Sequence, residues 1–147
     1  MMNILVVDDE PLIHISIEKL IQSGEKGVSV FHAYNGREML ERLAEHHFSL
    51  AYVDIKMPGI SGLEALKKAR EISPFTSYYI MTGFDEFEYA KQAIKLKVND
   101  YLMKPLDLKT IQETIQSARL QQQKNLEHKK NLFRNWLESN LNSRESS

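Results

Sequence analysis

Asp8, Asp9, Asp54, Thr82 and Lys104 each fall at or just beyond the carboxyl end of a short apolar run, and together they permit one coherent chemistry. Three carboxylates converging at one rim would repel each other by several kcal/mol in a partly dehydrated site. A hard divalent cation resolves the conflict. Mg2+ takes oxygen ligands, keeps several waters, and commonly uses one or two protein carboxylates plus a phosphate oxygen. With Mg2+ and Lys104 the formal charges balance, and such a site can admit a phosphoryl group whose oxygens meet the metal and the lysine. Asp54 then has the position of a nucleophile, since a carboxylate can take a phosphoryl group as an acyl phosphate. Thr82 can donate to a phosphoryl oxygen but forms no charge pair.

The elements that must position these side chains follow from apolar periodicity. Asn3 to Val7 predicts a buried strand, and Pro11, suited to a first helical turn, opens a helix to about Gln22 whose apolar set is Leu12, Ile13, Ile15, Ile17, Leu20 and Ile21. Gly24 and Gly27 close it. Val28 to Tyr34 predicts a second strand, and Asn35-Gly36 starts a helix through Met39, Leu40, Leu43 and Ala44. Leu50 to Val53 predicts the third strand, with Asp54 at its end and Pro58-Gly59 unable to extend it. A helix carrying Leu63, Leu66, Ala69 and Ile72 stops at Ser73-Pro74, and Ser77 to Thr82 is the fourth strand. A helix over about Asp85 to Leu96, with Phe87, Ala90, Ala93 and Ile94 on one face, leads to the fifth strand, Asp100 to Met103. The last helix begins near Asp107. Its packing face is Leu108, Ile111, Ile115 and Ala118, and no Gly or Pro interrupts Leu106 to Leu141. Regular alternation of strand and helix argues for an α/β fold, a doubly wound five-stranded parallel sheet with helices on both faces. Ligands of such sheets sit beyond the carboxyl ends of the strands, where the polar residues fall.

Composition narrows the class. The chain has 147 residues, 42% of them hydrophobic, enough for one domain with a two-sided core and a C-terminal extension. A formal net charge of −1 excludes a global basic footprint for nucleic acid, although bases gather in Lys124 to Arg134 and acids at Asp8 to Glu10 and Asp85 to Glu88. The absence of cysteine excludes disulfides and thiolate metal sites. No apolar stretch is long enough to cross a bilayer, and the amino end lacks a signal-peptide pattern, so no membrane contact and a cytoplasmic location are expected.

Four motifs in order, Val7-Asp8-Asp9-Glu10-Pro11, Asp54-Ile55-Lys56-Met57-Pro58-Gly59, Thr82-Gly83 and Asp100-Tyr101-Leu102-Met103-Lys104-Pro105, resemble the receiver domain of two-component response regulators over roughly Asn3 to Leu120. The resemblance implies a flavodoxin-like strand order 2-1-3-4-5, with residues 1–120 as receiver and 121–147 as a helical extension or linker. It implies that Asp54 accepts a phosphoryl group from a histidine kinase, and that the metal set is Asp9 directly, Asp8 largely through water, Asp54 and the Lys56 backbone carbonyl. Lys104 would pair with the phosphoryl group, Thr82 and Tyr101 would move inward together as the switch, and the Lys104–Pro105 peptide bond would be cis. Gly83-Phe84-Asp85-Glu86-Phe87-Glu88-Tyr89-Ala90 looks like the subgroup whose receivers precede an AraC-type helix-turn-helix domain. DNA contact would then belong to a domain of roughly 100 residues outside this chain, and the sequence is expected to be either a truncated form, the favoured reading, or a stand-alone receiver. Two positions depart from the pattern. Lys97 stands where the family usually has glycine, and Lys56 sets a long basic side chain beside the acceptor.

The leading expectation is a phosphorylation-dependent signalling switch that changes self-association or output-domain contacts, not an enzyme beyond its own phosphoryl transfer and autodephosphorylation. A homodimer is expected through the C-terminal helix, where Leu126, Phe133, Leu137 and Leu141 share a face, or through the face made by the helix after Gly83, the fifth strand and the last helix. A Mg2+-dependent phosphohydrolase would want a further acid two residues after the nucleophile, where Lys56 stands, and would want a substrate-selecting cap. A phosphate-independent dimerisation module would leave the acid set without a purpose. A flavin-binding domain lacks its phosphate loop after the first strand. Asp8 to Glu10 could also be acids at a helix start, and Tyr101 could be core packing alone. His14, His32, His46, His47 and His128 have no metal-ligand spacing and receive no role.

Overall fold

The computed structural model describes residues 1–56, 62–83, 91 and 97–145. Its strands are β1 (Met2–Val7), β2 (Val28–Ala33), β3 (Leu50–Asp54), β4 (Ser77–Thr82) and β5 (Asp100–Met103), and its helices α1 (Pro11–Gly24), α2 (Gly36–Glu45), α3 (Gly62–Ile72) and a C-terminal helix (Leu108–Glu145). The expected helix over Asp85 to Leu96 and the Met57-Pro58-Gly59 motif lie outside the described residues, apart from Lys91.

The five strands are parallel in the order β2-β1-β3-β4-β5, as expected. Because side chains alternate across a strand, each strand feeds two cores. Leu5, Val7, Ala51, Val53, Tyr78 and Ile80 face α2 and α3 through Met39, Leu43, Ala65, Leu66 and Ala69. Ile4, Val6, Leu50, Tyr52, Tyr79 and Met81 face α1 and the C-terminal helix through Ile17, Ile21, Ile111, Ile115 and Ala118. Tyr52, wholly buried, takes its hydroxyl to Thr114 at 2.6 Å and so fastens the central strand to the C-terminal helix. Leu108, expected in that helix's packing face, stands at the rim and is partly exposed.

The α1 face differs from its apolar pattern. Leu12 and Ile15 are 75% and 52% exposed, while His14, Ile17 and Ile21 are the buried residues. Helical spacing of 3.6 puts 14, 17 and 21 on one stripe and turns 12 and 15 away from it. Ile13, Ile17, Leu20 and Ile21 of the apolar set pack in the core as read, and His14 joins them there while Leu12 and Ile15 do not.

Two backbone features hold the loops. Gly27 has φ +72°, a conformation glycine adopts without strain, and its carbonyl accepts from Met2 N–H at 3.0 Å to start the sheet. At Gly62 a Cβ would collide with the Ile55 carbonyl and Cα, so α3 starts against the end of β3 only because residue 62 has no side chain.

Candidate functional site

The register of the sheet assembles the site. Val6 pairs with Tyr52 and Val7 with Val53, so the continuation of β1 brings Asp8 beside Asp54 on one face. Thr82 pairs with Met103, and Lys104 N–H donates to the Thr82 carbonyl at 2.8 Å, which carries the Lys104 side chain to the same end. Lys104 Nζ lies 2.9 Å from Asp8 Oδ2 and 3.2 Å from Asp54 Oδ2. The Lys104–Pro105 peptide bond is cis, as the resemblance implied.

Both acids are buried. Asp8 is 0% and Asp54 3% exposed, so each needs compensation from fixed donors. Asp54 Oδ1 accepts from Lys56 N–H at 3.0 Å, and Asp8 Oδ1 accepts from Glu10 N–H at 2.9 Å. The main chain of Asp8 is tied as well: its N–H donates to Ala33 O at 3.1 Å, and its carbonyl meets His14 Nε2 at 2.7 Å. Burial pushes the Asp54 carboxyl above the usual carboxylate range, against the opposing pull of the Lys56 N–H and the Lys104 ammonium. Burial also works to lower Lys104, but its bonds to Asp8 and Asp54 outweigh that and hold it above the usual lysine value. Among the described residues the site therefore sets one cation between two buried carboxyls, with Asp9 and Glu10 beside them, an excess of acidic groups.

That imbalance fits a divalent ion. Asp8 Oδ2 faces the ammonium as an ion pair but receives no aligned hydrogen bond, a buried oxygen with coordinating capacity left. One carboxylate oxygen from each of Asp8, Asp9 and Glu10 lies within 4.8 Å of the others, with Asp9 and Glu10 open to solvent. An all-oxygen donor set with solvent on one side suits Mg2+, which dehydrates reluctantly and keeps waters. Glu10 is a member that sequence reasoning read only as a helix-start acid. It occupies the N-cap of α1 yet makes no side-chain cap, which leaves its carboxylate available.

Thr82 is wholly buried, and its hydroxyl donates to the Gly83 carbonyl at 3.0 Å, so at rest it is directed to its own backbone. Tyr101 is half-buried and packs against the core under α2 and α3. Lys56 supplies its N–H to the acceptor while its side chain is exposed. Two histidines that spacing left without a role stand directly behind Asp8. His14 is buried, and its ring meets that of His32 with the two Nδ1 atoms 2.7 Å apart. Lys97 has φ +61°, the left-handed conformation for which its place in the pattern called for glycine.

Comparison with known proteins agrees with the geometry. The family model described as the response regulator receiver domain matches residues 4–116. The uncharacterized transcriptional regulatory protein YesN of Bacillus subtilis (strain 168) is 35% identical over 88% of this chain, which spans 36% of that relative's length. The REC domain of AraT, a response regulator from Geobacillus stearothermophilus, superposes with a TM-score of 0.76 at 34% identity, covering 85% of this chain and 98% of that one. A response regulator from Burkholderia pseudomallei, solved with a phosphorylated aspartic acid, a calcium ion and citrate, gives 0.70 at 25% identity, covering 86% and 75%.

Proposed function

This chain belongs to the response regulator receiver domain family, and on that premise we propose that it is a phosphorylation-dependent switch in which Asp54 accepts a phosphoryl group from the phosphohistidine of a histidine kinase. The carrying observation is the Lys104 ammonium, whose Nζ is held within 3.2 Å of Asp54 and 2.9 Å of Asp8 at the carboxyl edge of the sheet. An Asp54 carboxylate oxygen forms the bond to phosphorus as the bond from phosphorus to the donor ring nitrogen breaks, and the electron pair remains on that nitrogen. Lys104 then turns from a carboxylate partner into a phosphoryl partner, so charge is exchanged at the site rather than added unpaired. Asp8, Asp9, Asp54 and the Lys56 backbone carbonyl hold the metal in this reading, and the placement of Glu10 adds it as a candidate through water. Bound Mg2+ supplies neutralisation of the phosphoryl oxygens.

Thr82 and Tyr101 report the event. The Thr82 hydroxyl leaves the Gly83 carbonyl for a phosphoryl oxygen, and Tyr101 fills inward behind it. The consequence is a changed contact along β5 and the C-terminal helix. Self-association through that helix is the output we favour, because Leu126, Leu132, Phe133, Trp136, Leu137 and Leu141 form an apolar surface of half-exposed side chains. Residues 1–120 act as the receiver and 121–147 as the connection to a transcriptional output domain, in the cytoplasm; no helix among the described residues is long and apolar enough to cross a membrane. The likeness to YesN, a transcriptional regulatory protein, supports transcription as the output, and the AraC-type subgroup remains our reading of the Gly83 to Ala90 stretch.

Treatment with acetyl phosphate and Mg2+ followed by intact-mass measurement tests the proposal. Wild type gains the mass of one phosphoryl group and Asp54→Asn gains none; equal labelling of the two, or of neither, overturns it. Sedimentation of the labelled and unlabelled protein reads the output, with association expected to rise on labelling.

A further inference from the structure

Behind the acidic loop, two imidazoles and a carboxylate form a closed chain. His14 Nε2 lies 2.7 Å from the Asp8 carbonyl, the two Nδ1 atoms of His14 and His32 are 2.7 Å apart, and His32 Nε2 lies 3.0 Å from Glu18 Oε2. His14 and Glu18 are one turn apart on α1, and His32 reaches them from β2. The ring of Tyr34 lies 4.3 Å from that of His14 and helps fix its plane.

Counting protons decides the state of this chain. A backbone carbonyl only accepts, so His14 Nε2 carries hydrogen. An ionised carboxylate only accepts, so His32 Nε2 carries hydrogen too. The contact between the two Nδ1 atoms requires a third. Two neutral imidazoles bring one hydrogen each, so all three bonds exist together only when the pair holds one positive charge. The Glu18 carboxylate stands against His32 on the side away from Asp8. His14 is thereby held with a hydrogen on Nε2, aimed at the Asp8 carbonyl.

An aliphatic side chain at position 14 would fill the space between α1 and the sheet without desolvating any polar group. What the histidine adds is a directed donor. Resting on the reading of Asp8 and Asp9 as metal-holding acids, we propose that His14, oriented by His32 and Glu18, is a positioning residue that presets the Asp8–Glu10 loop for a hard divalent cation. The hydrogen bond to the Asp8 carbonyl and the Asp8 N–H bond to Ala33 O at 3.1 Å fix the peptide planes on both sides of the Asp8 side chain. The carboxylate therefore leaves the strand in one direction, with Oδ1 on Glu10 N–H and Oδ2 at the site. His14 touches neither the ion nor the phosphoryl group.

The test is a Mg2+ titration of the full chain at fixed neutral pH, read from backbone amide shifts, together with nitrogen-15 spectra of the imidazoles. Wild type should show His14 with its hydrogen on Nε2. His14→Leu should weaken Mg2+ binding about 10-fold, the scale for losing an outer partner of a metal ligand. His14→Gln, whose side-chain amide can still donate to the Asp8 carbonyl, should recover most of that loss. Wild-type affinity in His14→Leu, or an Nδ1–H tautomer in wild type, overturns the positioning role. Should His14→Leu fail to fold, Glu18→Gln keeps the proposal exposed. Glu18 is at the surface end of this cluster, and its substitution should shift the nitrogen-15 signals of His32 and weaken Mg2+ binding, whereas unchanged spectra and affinity overturn the proposal. A wild-type protein that binds no Mg2+ would sink the metal reading itself, and the positioning role with it; wild-type binding matched by His14→Leu sinks the positioning role alone.

Discussion

The two ends of the sheet are built on opposite terms. At the carboxyl edge, Asp8 and Asp54 are buried and held by the chain around them: Asp8 by its amide, its carbonyl and Oδ1, with Oδ2 in an ion pair to Lys104, and Asp54 by Lys56 and Lys104. At the amino edge the C-terminal helix passes the loops before β3 and β4. Gln122 meets His47 at 3.4 Å, and Lys129 lies over Phe75 at 4.8 Å. Beyond that point large apolar side chains stand in solvent, among them Trp136 and Phe133 stacked on each other. The first region stores electrostatic free energy within the fold; the second holds apolar surface that only another surface can cover. A change at the first can therefore alter stability, while a change at the second alters association and leaves the folded monomer nearly untouched.

The largest effect is expected from Lys104→Met, which leaves two buried carboxylates without their cation and should cost about 3 kcal/mol in urea unfolding without metal. A loss under about 1 kcal/mol would mean that the carboxylates are far better solvated than their burial implies. Next is Gly62→Ala, whose Cβ meets the Ile55 backbone. The strain should cost about 2 kcal/mol and shift the amide signals of Ile55 and Lys56 as well as those of α3.

Asp54→Asn should raise stability. Burial holds the Asp54 carboxyl above its ordinary value, so the folded state keeps a proton that the unfolded state releases. The contribution of Asp54 falls as pH rises from the ordinary carboxylate range, about 4, through the raised value, and the deficit persists at neutral pH. Melting in metal-free buffer should thus give a higher midpoint for Asp54→Asn at pH 7 and no difference near pH 3, where both states are protonated. A lower midpoint at pH 7 would reverse the assigned sign.

Lys97→Gly should add about 0.5–1 kcal/mol by relieving the left-handed backbone at φ +61°. The smallest effect on folding belongs to the projecting helix. Phe133→Ser with Trp136→Ser should change monomer unfolding by less than about 0.5 kcal/mol while lowering association measured by sedimentation; a large loss of stability would show that this face is covered within the monomer.

The same contrast decides what was legible in the sequence. Asp54 and Lys104 could be read because an apolar run that ends in a charge is a strand aimed at a sheet edge, and parallel order then brings such ends together. The long helix was legible because nothing between Leu106 and Leu141 breaks it. The partnership of His14 and His32 was not, since the two residues are 18 apart on different elements and meet only after α1 has packed on the sheet. Ile13, Ile17, Leu20 and Ile21 were legible as the core stripe of α1, but His14 as a further member was not, since a histidine carries no apolar signal. Glu10 was read as a helix-start acid, but the turn that bonds its N–H to Asp8 also carries its carboxylate back beside Asp8 and Asp9.

Borohydride reduction tests the central claim most directly, because it converts an aspartyl phosphate to homoserine and marks the residue that carried it. After treatment with acetyl phosphate, peptide mass mapping should find homoserine at position 54 when Mg2+ is present and almost none when it is chelated. Homoserine at another acid, or equal yield with and without the metal, would contradict a site built from Asp54, the acidic loop and Lys104.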